Sequence, residues 1–228
     1  MPADHTVFLF DVDNTLLDND HVVADLMRHL ERDIGHEQAA RYWEYFEQLR
    51  TELGYADYLG ALQRYRVMHP RNFNIMSVSY FLMDYHFANR LFPRALDALE
   101  KFQQYGETAI LSDGDMIFQP LKVQRSGIRE AVDGKVMIYI HKENELDDVA
   151  ARYPAEHYVL VDDKVRILAS VKRAWGARVT TVFPRQGHYA ADEKETAKYA
   201  GAADVTVDRI DELLDYDLAR LRAATKPA

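Results

Sequence analysis

Asp11 and Asp13 stand two residues apart in the turn Asp11-Val12-Asp13-Asn14-Thr15, directly after the apolar run Val7-Phe8-Leu9-Phe10. Such a run reads as a buried strand, and carboxylates at its end converge where a metal ion or a phosphate would sit. Like charges at the end of a buried strand are costly unless a cation or a substrate is meant to meet them. Asp and Asn also favour turns for local reasons, so the pair gains weight only from matching features elsewhere in the chain.

Three further features end apolar runs in the same way. In Ala109-Ile110-Leu111-Ser112-Asp113-Gly114-Asp115 a hydroxyl precedes a glycine turn, whose backbone N–H groups and Ser112 are suited to phosphoryl oxygens. Lys142, after the run Val136–Ile140, supplies a cation that offsets phosphate charge and restrains an attacking carboxylate. Lys122 and Lys135 are rivals for that role, but neither follows a strand, so Lys142 is favoured. Tyr158-Val159-Leu160-Val161-Asp162-Asp163-Lys164 repeats the carboxylate-after-strand pattern of Asp11. Mg²⁺ takes oxygen ligands from a few carboxylates, water and substrate phosphate, and two acidic strand ends side by side supply them. Either Asp singly would also serve as a helix N-cap.

The elements that must position these groups are legible as well. The runs Val7–Phe10, Thr108–Leu111, Val136–Ile140, Tyr158–Val161 and Val179–Phe183, with a weaker Val205–Val207, alternate with helical patterns such as Ala95–Tyr105 and Val165–Trp175. That alternation predicts an α/β fold with a mostly parallel sheet, whose carboxyl edge binds ligands. The stretch from Asn19 to Phe92 breaks the pattern. It has no convincing strand, has helical patterning around Val22-Val23, Leu26-Met27 and Leu30, and is rich in aromatics: Tyr42, Trp43, Tyr45, Phe46, Tyr55, Tyr58 and Tyr65. An insertion of ~70 residues is too long for a plain crossover. It is expected to form a helical cap with its own core over 19–92, inserted into an α/β core of 1–18 and 93–228. Pro93 is placed to open the returning helix, and Asp204–Leu221 reads as a last strand and an amphipathic helix.

The order Asp-x-Asp-x-Thr, Ser, Lys, Asp-Asp resembles the haloacid dehalogenase (HAD) superfamily, in its phosphatase branch with a helical cap between the first and second motifs. The resemblance spans the chain and implies a Rossmann-like core and a Mg²⁺-dependent phosphohydrolase acting on a small phosphomonoester. By that resemblance Asp11 is the nucleophile that forms an aspartyl-phosphate, and Asp13 protonates the leaving oxygen and then activates water. Asp11, the Asp13 backbone carbonyl and Asp163 hold Mg²⁺, with Asp162 helping directly or through water. Thr15 and Ser112 position the phosphoryl group, and Lys142 offsets its charge. The dehalogenase branch lacks an Asp two residues after the nucleophile, so Asp13 points away from C–halogen cleavage. Many members carry another acidic residue four or five positions after the last motif; here Ile167 and Leu168 stand there, which shifts weight to Asp162. A phosphomutase using the same residues, and a regulatory or binding module that retains the fold, are the alternatives.

Weaker candidates surround this set. Asn14 and Asp18 are read as local backbone caps. His69, Arg71 and His86 sit in the cap, where a charged residue would read a leaving group; Asp115 is placed either to approach the cap interface or to be solvated, and cap aromatics at helical spacing read as core. Arg185-Gln186-Gly187-His188 follows the fifth strand as a loop on the edge that carries the site. The 228 residues carry 28 basic and 37 acidic side chains and no cysteine, a net charge of −9. That balance argues against a nucleic-acid partner, and the missing thiols exclude disulfides, Cys-ligated zinc and thiolate catalysis. No apolar run approaches the ~18 residues of a membrane span, and Met1–His5 lacks the regions of a signal peptide. The expectation is a cytoplasmic protein.

Overall fold

The computed structural model describes residues 5–227; residues 1–4 of the segment read for a signal peptide lie outside that range. Six strands, β1 (Thr6–Phe10), β2 (Glu107–Asp113), β3 (Val136–Tyr139), β4 (His157–Val161), β5 (Val179–Pro184) and β6 (Val205–Val207), form one sheet in the order β3-β2-β1-β4-β5-β6. Every neighbouring pair is parallel. Strands covered on both faces are apolar at nearly every position, and β1 is fully buried throughout. Its period-two alternation sends Phe8 and Phe10 to one apolar cluster and Val7 and Leu9 to the other.

Helices α1 (Asn19–Ile34), α2 (His36–Leu53), α3 (Tyr58–Met68) and α4 (Ile75–Asp84) occupy the stretch between β1 and β2. The α1 N-terminus is held by Asp18, which accepts from the His21 N–H, and its i, i+4 row Val22, Leu26, Leu30 is buried. Tyr42, Tyr58 and Tyr65 are buried too. These side chains form one continuous cluster with Phe10, Phe87 and Phe118 on a face of the sheet. The rest of the chain adds α5 (Ala95–Gln103), α6 (Phe118–Arg125), α7 (Ile128–Ala131), α8 (Leu146–Arg152), α9 (Val165–Trp175), α10 (Gly187–Ala191), α11 (Glu193–Lys198) and α12 (Leu218–Ala223).

Two local expectations are adjusted. Pro93 lies two residues before α5, and the helix entry is Arg94 in a left-handed conformation. The terminal segment is a 3₁₀ turn at Ile210–Asp215 followed by the short α12. Asp217 divides them, because its carboxylate accepts from the Arg220 N–H and starts a new helix.

Strand β1 lies between β2 and β4, so the chain leaves it for one half of the sheet and later returns on the other side. The crevice at such a reversal is where open α/β sheets bind ligands. Register places Phe10 beside Ile110 and beside Val161, which brings Asp11, Ser112 and Asp162 to one edge.

Candidate active site

Asp11 is buried at the tip of β1, with Lys142 Nζ 2.6 Å from its Oδ1. The same ammonium lies 2.7 Å from Asp162 Oδ2 and donates to the Leu111 carbonyl at 3.1 Å. Lys142 sits on the turn after β3, where its backbone N–H donates to Asp113 Oδ1 at 2.7 Å. Ser112 Oγ donates to Asp11 Oδ1 at 3.2 Å and accepts from Gln119 Nε2 at 3.0 Å. The Gly114 N–H donates to the Tyr139 carbonyl at 2.9 Å. The glycine turn therefore does not free that donor for a phosphate, contrary to the expectation from sequence.

Asp11, Asp162 and Asp163 are all buried, and one carboxylate oxygen from each lies within 4.8 Å of the others. Asp11 Oδ2 and both Asp163 oxygens are buried without a hydrogen-bond partner. A buried carboxylate left so is costly, and a cation is the group that satisfies it. The electrostatics agree. Burial pushes the Asp163 carboxyl well above its usual range, with Asp11 and Asp162 adding to the push. Burial also raises Asp162 against the opposing pull of Lys142. At Asp11 burial is outweighed by Lys142 and Lys164, and its carboxyl stays below the usual value. Burial opposes the charge on Lys142, but Asp11, Asp162 and Asp113 more than restore it, and the ammonium is held protonated. The nucleophile candidate is ionised while its neighbours wait for a second cation.

Asp13 faces the cavity, and a side chain that sequence reasoning ranks behind Lys142 holds it. Lys122 donates to both Asp13 oxygens at 2.7 and 2.8 Å and to Asn19 Oδ1 at 3.0 Å. Lys122 is 1% exposed, on the inward face of α6 with Phe118, Gln119 and Val123. A lysine among apolar positions of a short helix is the available signal, and a criterion of following a strand passes over it. Lys135, the other rival, pairs with Asp133 away from the site.

The remaining candidates divide cleanly. Thr15 Oγ1 accepts from the Asp163 N–H at 3.0 Å, which ties the two acidic loops together. Asn14, with φ of 59°, accepts from the N–H groups of Asn19 and Asp20. Asp115 caps the approach to α6 by accepting from Ile117 and Phe118 N–H. Ile167 and Leu168 are fully buried on α9. His69 and Arg71 line a separate cap depression, and His86 lies with Tyr85 and Arg90 in another. The loop after β5 contributes more than expected of a surface loop. Gln186 donates to the Thr15 and Asn14 carbonyls at 3.0 and 3.3 Å and accepts from the Ile210 N–H, so it buttresses the acidic turn. Gly187, at φ +69°, packs so closely that an added Cβ would lie 2.5 Å from Asn14 Cβ.

Above these groups lies a cavity of about 1120 Å³. Its walls are Asp13, Lys122, Lys164 and His188 from the α/β core and Trp43, Phe46, Arg50, Tyr55 and Tyr58 from the inserted helices. Thus some cap aromatics face the cavity, whereas Tyr42 and Tyr65 are core. Arg50 Nη2 donates to Tyr189 OH at 2.8 Å, and His188 pairs with Asp20 at 2.6 Å, so the helical insert and the β5 loop meet across the opening.

The family model for haloacid dehalogenase-like hydrolases matches residues 5–174, and each of the four strand-end motifs falls within it. The chain belongs to that family. A solved haloacid dehalogenase-like hydrolase of Burkholderia xenovorans is 62% identical, covers 95% of this chain and 100% of its own, and superposes with a TM-score of 0.89. More distant folds are similar too. The HAD-hydrolase YfnB of Bacillus subtilis, solved with magnesium bound, is 17% identical with a TM-score of 0.62 over 93% of this chain and 98% of its own. L-2-haloacid dehalogenase of Xanthobacter autotrophicus is 18% identical with a TM-score of 0.56 over 92% and 96%. No curated protein matches the chain by sequence.

Proposed function

We propose that this HAD-like hydrolase is a Mg²⁺-dependent phosphatase that cleaves a small phosphomonoester through an aspartyl-phosphate on Asp11. The observation that carries the reading is the pairing of an ionised, buried Asp11 with the unpartnered oxygens of Asp163 beside it. Asp11, Asp163 and the Asp13 backbone carbonyl would hold the ion, with Asp162 direct or through water. Bound there, Mg²⁺ would offset the negative charge of the phosphoryl group as the nucleophile approaches.

The side chains supply the rest. An Asp11 oxygen forms a bond to phosphorus as the bond to the leaving alcohol breaks, and Asp13, which takes up a proton when the negatively charged phosphoester enters beside it, passes that proton to the alcohol. Asp13, now a carboxylate, takes a proton from the water that cleaves the acyl-phosphate bond and frees orthophosphate. Lys142 steadies Asp11, while Ser112 and Thr15 fix the loops that surround the phosphoryl group. A halide departs without a proton, whereas an alkoxide needs one. Asp13 at the cavity therefore favours phosphoester over carbon–halogen cleavage, although the fold is shared with dehalogenases. The walls from the helical insert would exclude bulk water during transfer. The same proposal places the enzyme in the cytoplasm, acting on a metabolite rather than on nucleic acid or a membrane; no described helix is long and apolar enough to cross a membrane.

The test is release of orthophosphate from a panel of small phosphomonoesters with and without Mg²⁺, beside Asp11→Asn. Metal-dependent turnover lost in Asp11→Asn is expected. Interconversion of phosphate esters without net release would indicate a mutase. A folded protein that turns over nothing and binds no Mg²⁺ would sink the reading in favour of a binding module.

A further inference from the structure

The cations around the cavity are not equally available to a substrate. An ammonium has three N–H donors. Those of Lys142 face Asp11, Asp162 and the Leu111 carbonyl. Those of Lys122 face the two Asp13 oxygens and Asn19. Arg50 is bonded to Tyr189 and pairs with Glu47, and Arg166 pairs with Glu143. Lys164 differs. It is half-buried, lines the cavity, and its Nζ has no hydrogen-bond acceptor among the described residues. The nearest feature is the Tyr189 ring, 5.2 Å from Nζ to centroid. The backbone N–H of Lys164 donates to Asp162 Oδ1 at 2.8 Å, which pins the residue against the acidic cluster. Its charge acts on Asp11, Asp163 and Asp162.

We propose that Lys164 is a phosphate-binding cation of this cavity, donating to a non-bridging phosphoryl oxygen while the Tyr189 ring backs its ammonium. This deepens the phosphatase reading and rests on it. It adds a second cation to Lys142, whose ammonium is held against Asp11, Asp162 and the Leu111 carbonyl, at the residue that follows the Asp162-Asp163 pair. A partly desolvated ammonium over an aromatic face, with its N–H groups unspent, is suited to a multiply charged oxyanion.

The experiment titrates orthophosphate into the Mg²⁺-loaded protein by calorimetry, and Mg²⁺ into the metal-free protein, for wild type, Lys164→Met and Lys164→Arg. Lys164→Met is expected to weaken orthophosphate binding about ten- to a hundredfold, the worth of one charge-assisted hydrogen bond. It should leave Mg²⁺ binding unchanged or tighter, because a competing positive charge has gone. Lys164→Arg should recover most of the phosphate affinity. Weaker orthophosphate binding with Mg²⁺ binding kept or tightened cannot come from partial unfolding, which lowers both. Orthophosphate binding within twofold of wild type in Lys164→Met, or a parallel fall in both affinities, overturns the assignment. Wild type that binds Mg²⁺ but no orthophosphate overturns the phosphatase reading itself.

Discussion

Replacing Lys142 with Met tests the charge balance of the site without reference to turnover. Lys142 is fully buried and neutralises Asp11 and Asp162, which are buried as well. Removing one partner of a buried ion pair costs about 3–5 kcal/mol, because the carboxylates left behind have neither water nor a counter-charge. For a chain of this length 1 kcal/mol moves Tm by roughly 2–4 °C, so Lys142→Met in EDTA should melt about 6–20 °C below wild type. Magnesium should then narrow the gap. The ammonium competes with a metal for the oxygens of Asp11 and Asp162, and its removal leaves three carboxylates for one divalent ion. A hundredfold gain in Mg²⁺ affinity would return about 2.7 kcal/mol at saturating metal, more than half of the smallest loss expected. The assay is thermal unfolding of both proteins in EDTA and in excess Mg²⁺. A gap that stays the same in the two buffers would show that the ion does not bind these carboxylates, and the metal-site reasoning would fail.

Other perturbations separate the roles of neighbouring groups. Lys122→Met should lower kcat/KM for an alkyl phosphate about a hundredfold more than for p-nitrophenyl phosphate, whose leaving group needs little protonation; equal losses would mean that Lys122 does not act through Asp13. Gly187→Ala forces a side chain onto a positive-φ residue already against Asn14. It should cost about 1–3 kcal/mol in urea unfolding and lower turnover by displacing the acidic turn; an unchanged midpoint and rate would contradict this. His157 is held down to about 4 by burial, with Arg222 and Lys172 adding to the effect. Its folded pKa lies below the ordinary histidine value, so its contribution is present at neutral pH and is lost as pH falls from about 6.5 toward 4, at less than about 1.4 kcal/mol per pH unit. Denaturant midpoints for His157→Asn should show a shallower fall over that window than wild type does.

Local sequence is enough to place the strands that carry the site and the order of the residues at their ends. Strands covered on both faces read as near-continuous apolar runs, so Val7–Phe10 and Tyr158–Val161 stand out with no knowledge of their neighbours. Asp11, Ser112, Lys142 and the Asp162-Asp163 pair are legible because charged and polar residues directly after such runs must emerge at the sheet edge. What those groups bond to emerges only when the chain is folded. Lys122 reads as an ordinary helical lysine until α6 turns its inward face to Asp13 and Asn19, 109 and 103 residues away in sequence. Gln186 likewise reads as a loop residue until β5 brings it under the backbone of Thr15. Whether Lys142 or Lys164 is free to meet a phosphate also depends on which acceptors surround each ammonium. Local pattern records whether a residue wants to be buried or exposed. The partner of a buried charge comes from chain crossings far apart in sequence, and here those crossings divide Asp11 from Asp13, and Lys142 from Lys122 and Lys164.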